Sequence, residues 1–134
     1  MKQPIDLARR FLALADQDIK TFLLLIENDE IADSQIGFHA QQAVEKCLKA
    51  VLVLHEVEFR KTHDLDELLK LFANFDIPLP PYSDKLDELN PYAVTLRYDL
   101  FETEIEKLDK ELVRKIVKAV HKWAVRVINQ KKKE

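Results

Sequence analysis

An all-α fold, an antiparallel up-down bundle of four to five helices, follows from three observations on this 134-residue chain. Glycine occurs once, at Gly37, while charged residues make up 34% and hydrophobic ones 47%. That balance, rich in Leu, Lys, Glu and Ala, belongs to helix. Apolar residues recur at steps of three and four, and no stretch alternates as a strand would. The length suits one domain over residues 1–134 with a single core and no need of disulfide or metal.

The first helix is expected from Pro4, a residue suited to a helix start, to about Asn28. Ile5, Ala8, Leu12, Ala15, Ile19, Phe22 and Ile26 form its seam. After a polar loop with Ser34 as a cap, the second helix spans about Gln35 to Val57. Its seam is Ala40, Ala43, Val44, Cys47, Val51 and Leu54, while Phe38, Leu52 and Val53 form a second apolar flank. A helix apolar on two sides is central in the fold or covered by a partner, so a homodimer or a heteromer is expected.

Thr62, or Asp64 with Glu67, caps a third helix whose face is Leu65, Leu68, Leu69 and Phe72. Ile77 to Pro81 is extended, since consecutive prolines exclude helix. A short fourth helix is expected from about Ser83 to Leu89, with Pro91 opening a further turn through Leu96. The last helix runs from about Lys107 to Asn129 on a seam of Leu112, Ile116, Ala119, Trp123 and Val127. The tail from about 130 to 134 is expected to fray.

Net charge is −3, so no overall field draws the chain to nucleic acid. Charge is nonetheless unevenly spread, with acids such as Asp84, Asp87 and Glu88 mid-chain and bases crowding the last helix. A basic helix suits RNA, and basic residues near a helix end also complement its dipole. The first residues lack the apolar run of a secretion signal, and no segment is long enough to cross a bilayer, so a cytoplasmic protein is expected. The single cysteine, Cys47, lies on the apolar seam and reads as a buried structural thiol. Without a second cysteine or clustered histidines, no metal site and no cofactor are expected.

Two groups of polar residues suit an anion. Gln42, Lys46 and Lys49 share a stripe of the second helix, where two ammonium groups and an amide would serve a phosphate. Arg60, Lys61 and His63 stand at the entrance of the third helix, whose free amides favour negative charge. Each group also reads as a solvated face or as loop charges.

The run Gln41-Gln42-Ala43-Val44-Glu45-Lys46-Cys47-Leu48-Lys49-Ala50, then His63-Asp64-Leu65, then Tyr92 followed by Arg97-Tyr98, resembles the HEPN family in order and spacing. These are small helical domains associated with nucleotides and RNA. The resemblance covers nearly the whole chain. Asp99 stands where the family commonly has proline after Arg-Tyr, a departure at that block. The resemblance implies a nucleotide- or phosphate-binding site at Gln42, Lys46, Lys49, His63, Arg97 and Tyr98. It also implies a possible small nucleotidyltransferase partner in a toxin–antitoxin type pair, with nucleotide or RNA as ligand.

Ribonuclease members of the family carry an arginine followed a few residues on by a histidine, acting without metal. After Arg97 the corresponding positions hold Glu102, Thr103 and Glu104, poor proton donors at neutral pH. The alternative pair is Arg114 and His121, seven positions apart and on one helix face. The expectation is therefore a subunit that is non-catalytic by itself. The alternatives are a metal-independent ribonuclease using Arg114 and His121, or a dimeric adaptor without ligand.

Overall fold

The computed structural model describes residues 3–95 and 107–133, with side chains described through 93 and from 107 to 130. Arg97, Tyr98, Asp99 and Glu102 to Glu104 lie outside the described residues. The elements are α1 (Pro4–Ile26), α2 (Asp33–Leu54), α3 (Leu65–Asn74), a 3-10 turn (Leu86–Leu89), α4 (Tyr92–Thr95) and α5 (Lys110–Lys133). No strand occurs among the described residues, so the fold is an all-α bundle.

Three long helices make the frame, with α2 at its centre, touching α1, α3, the 3-10 turn, α4 and α5. Both α2 and α5 run antiparallel to α1, and α5 therefore runs parallel to α2. α3, the 3-10 turn and α4 form the crossover that this parallel arrangement requires. The α1 seam is as expected: Ala8, Ala15, Phe22 and Ile26 are buried, and Leu12 and Ile19 pack against the same core. So is that of α2, where all six seam residues are buried.

The second flank of α2 has an intramolecular explanation. Leu52 is fully buried in the common core, Val53 packs beside Ala8, Ala50, Leu54 and Ile128, and the ring of Phe38 meets His39 edge-on. Leu52 and Val53 are thus accounted for by the central place of α2, while Phe38 stays half-buried. Gly37 has a distinct packing role, because a Cβ there would overlap the ring of buried Tyr92. The small residue lets α4 lie directly against α2.

Element boundaries differ from expectation where local chemistry intervenes. α2 starts at Asp33 rather than after Ser34, which is buried. The Asp33 carboxylate favours the helix start and accepts a hydrogen bond from Leu108 N at 3.0 Å. α2 stops at Leu54 because Glu56 adopts a left-handed φ of 58°. Val57 N–H then donates to Leu52 O and Glu56 N–H to Val53 O, a Schellman motif sealed by buried Val57. α3 ends the same way, with Asp76 at φ 55° and Ile77 N–H donating to Phe72 O.

The expected helix from Ser83 to Leu89 is instead a run of turns closing in the 3-10 segment, with Tyr82 left-handed at φ 59°. α5 starts three residues later than expected, where Asp109 accepts from Leu112 N at 3.1 Å, and continues to Lys133. Its seam is also turned by about one position. Val113, Ile116, Val117, Val120, Trp123, Ala124 and Ile128 are buried, whereas Leu112, Ala119 and Val127 are half-buried. Trp123 reaches Phe72 of α3 with ring centroids 5.9 Å apart.

Candidate functional site

The chemistry of α2 gathers on the side facing the connector to α3. Gln41, Glu45 and Lys49 repeat every fourth residue and so share one stripe. All three are buried, as is Thr62 on the connector. Glu45 Oε2 accepts from Lys49 Nζ at 3.0 Å, and Glu45 Oε1 accepts from Gln41 Nε2 at 3.1 Å. Two backbone carbonyls of the connector complete the set. Lys49 Nζ donates to Thr62 O at 2.8 Å, and Gln41 Nε2 donates to His63 O at 2.9 Å. The ammonium also sits 5.7 Å from the centre of the Phe59 ring. Every buried charge is therefore paired, and the network pins the connector to α2.

His63 closes this network from outside. Its Nδ1 is 2.9 Å from Glu45 Oε1, while its side chain is 56% exposed. Glu45 already accepts from Lys49 and Gln41, so it is a carboxylate with no proton to give. Nδ1 must then carry the hydrogen toward Glu45, which leaves Nε2 at the open edge of the ring. The buried carboxylate thus sets the tautomer of a half-exposed imidazole.

The four expected site residues that the structure describes take different partners, although Lys49 and His63 share the Glu45 carboxylate. Lys49 turns inward to Glu45. Lys46 reaches across to α1, where its Nζ is 2.5 Å from Asp18 Oδ2. The other oxygen of Asp18 faces His39 Nδ1 at 3.2 Å, so one carboxylate of α1 holds two residues of α2. Gln42 donates from Nε2 to Gln41 Oε1 at 2.7 Å. Gln42, Lys46 and Lys49 therefore do not present a joint cationic surface, and His63 keeps an open edge. Arg97 and Tyr98 lie outside the described residues.

The entrance of α3 is closed as well. Asp64 is its cap, accepting from Asp66 N at 2.9 Å, and Asn90 Oδ1 accepts from Leu65 N at 2.9 Å. Thr62 Oγ1, the other expected cap, accepts from Asp64 N at 3.0 Å and shapes the connector instead. The amides of Leu65, Asp66 and Leu68 thus have protein acceptors. Arg60 pairs with Glu67 through Nε at 3.0 Å and Nη2 at 2.6 Å.

Arg114 and His121 both face α1 but engage different acids. Arg114 Nη1 lies 2.9 Å from Glu27 Oε1, and His121 Nε2 lies 2.6 Å from Asp16 Oδ1. Glu27, just past the end of α1, and Asp16 within it are eleven positions apart, about 16 Å along the helix axis at 1.5 Å per residue. The two side chains are therefore drawn to well-separated anchors.

Sequence reasoning missed Glu45, Gln41 and Asp18. Glu45 was legible, since a Glu four residues before a Lys is the favoured helical ion pair. Asp18 carries no such signal, because its partners lie on another helix. Cys47 is buried, and burial first, with the nearby Asp16 charge second, pushes its thiol up to about 12. Among the described residues no group of three or more His, Cys, Asp or Glu could hold a metal. No helix among them is long and apolar enough to cross a membrane.

Fold and site together define a small helical bundle with a buried ion network bracing one connector. The HEPN domain profile matches residues 8–128, and the chain belongs to the HEPN family. A protein of Methanocaldococcus jannaschii provisionally named as a toxin is 37% identical over 57 residues. That match covers 42% of this chain and 36% of the relative, about a third of the relative's length. No solved structure matches the chain.

Proposed function

We propose that this chain is the HEPN subunit of a toxin–antitoxin type pair, working with a small nucleotidyltransferase and not cleaving RNA by itself. The observation that carries the non-catalytic part is the divergence of Arg114 and His121. A metal-independent cut needs a proton-transfer group and a cation at one phosphorus, whereas these two are engaged by acids a dozen or more ångströms apart along α1. The toxin name of the relative supports the two-component setting. In the same proposal a nucleotide phosphate accepts from Nε2–H at the open edge of His63 with the ring in its protonated form, and Lys46 is the neighbouring cation once it leaves Asp18. Assembly, with a second copy or with the nucleotidyltransferase, is part of this reading.

Co-expression with a small nucleotidyltransferase tests it. A complex of defined stoichiometry is expected by sedimentation, and the purified chain is expected to leave structured RNA intact in excess chelator. Cleavage by the parent that disappears in His121→Ala would overturn the reading in favour of a ribonuclease using Arg114 and His121. Failure to form a complex, with a melting temperature unmoved by nucleotides, would leave a dimeric adaptor instead.

A further inference from the structure

The outer face of α5 carries charge that the rest of the molecule does not balance. Lys115, Lys118, Lys122 and Arg126 are all exposed and lie at i, i+3, i+7 and i+11, on one side of the helix. They span eleven residues, about 16 Å. None has an ion-pair partner among the described residues. Glu111, one turn before Lys115, is the sole acid in α5. Arg9, Arg10, Lys20, Lys61, Lys70 and Lys85 are also without an ion pair among the described residues, but they do not line up as four cations along one helix face.

This stripe works against the helix that bears it. Lys118 with Lys122, and Lys122 with Arg126, are like charges at i and i+4, each unfavourable by about 0.2–0.5 kcal/mol. The helix dipole rewards cations only in the last turn, and Lys115 and Lys118 lie in the first half of α5. Neither packing nor capping accounts for them.

We propose that this face docks the phosphodiester backbone of a structured nucleic acid, without reading its base sequence. A protein partner would call for an apolar centre with aromatic anchors. The exposed positions among these cations offer none, and Trp123, the aromatic of α5, is buried in the core. For the same reason the face has no ring on which unpaired bases could stack. A row of four cations fits a duplex, since 16 Å along its axis carries about five phosphates per strand at one per 3.4 Å. The chain's net charge of −3 confines attraction to this face and so orients the encounter.

The test uses the full chain and a variant with Lys115, Lys118, Lys122 and Arg126 all changed to Gln. Probes are two duplex RNAs of unrelated sequence, a single-stranded RNA, and a poly-glutamate peptide of matched charge. The parent is expected to bind both duplexes alike, with log affinity falling against log salt at a slope of about −3.6 for four contacts. Between 50 and 200 mM salt that is about a 150-fold loss. The Gln variant is expected to lose this binding while its circular dichroism and melting temperature stay intact, so this test is independent of the pairing proposed above. Should the combined variant melt early, each single substitution must lower the slope by about 0.9. No duplex binding at low salt, a slope unchanged by the substitutions, or equal binding of poly-glutamate would overturn the proposal.

Discussion

The two ends of the charge distribution follow opposite rules. At the α2–α3 connector, Glu45 and Lys49 are withdrawn from water and each hydrogen bond has a named partner. On the outer face of α5, four cations stand in water with none. Buried ions contribute geometry, since they persist only where partners are placed to receive them. Exposed like charges contribute no geometry and disfavour the helix slightly, so they place no constraint on the fold. The difference teaches that charge type in the sequence does not reveal the role of a lysine; its burial does.

The largest expected effect lies at the connector. Glu45→Leu leaves the Lys49 ammonium buried without its carboxylate, and denaturant unfolding is expected to show a loss of about 3–5 kcal/mol. Pairing it with Lys49→Met should recover much of that loss, because no unpaired charge then remains. If Glu45→Leu alone costs less than about 1 kcal/mol, the network is wetter than its burial indicates, and the contrast with α5 collapses.

A smaller effect concerns Cys47 in the same buried seam. Its folded thiol is pushed up to about 12 against an ordinary value of 9.0. Between pH 9 and 12 the unfolded chain therefore releases a proton that the folded chain retains. Rising pH then favours unfolding, by about 1.4 kcal/mol at pH 10 from this group alone. Cys47→Ala should remove that portion of the alkaline slope. The native thiol should also resist a disulfide exchange reagent at neutral pH and react once the chain unfolds. Rapid reaction in the folded protein would contradict the burial.

The smallest effect is on α5. Lys118→Gln and Lys122→Gln are expected to shift unfolding free energy by no more than about 0.5 kcal/mol, toward greater stability if either. A marked destabilisation in low salt would mean that these lysines hold intramolecular partners, and the comparison would need redrawing.

Much of the architecture was determined by the sequence itself. The seams of α1 and α2 and the exclusion of helix from the Ile77–Pro81 stretch are local properties, set by periodicity and proline geometry, while the choice of Asp64 over Thr62 as cap was left to the structure. The Gln41–Lys49 run and the His63-Asp64-Leu65 block stood out in the sequence as an anion site, and the buried network between them did not. Tertiary structure decided the rest. α5 is apolar over more than half its circumference, so periodicity alone left its rotation open, and packing against α1 and α2 turned Val113, Val117, Val120 and Ala124 inward. The same holds for Lys46 and Lys49, neighbours on one helix stripe with opposite fates. Asp18 comes from 28 residues away to meet Lys46, while the Thr62 carbonyl descends on Lys49 from the connector. Those partners are brought by the fold, and no spacing within α2 encodes them.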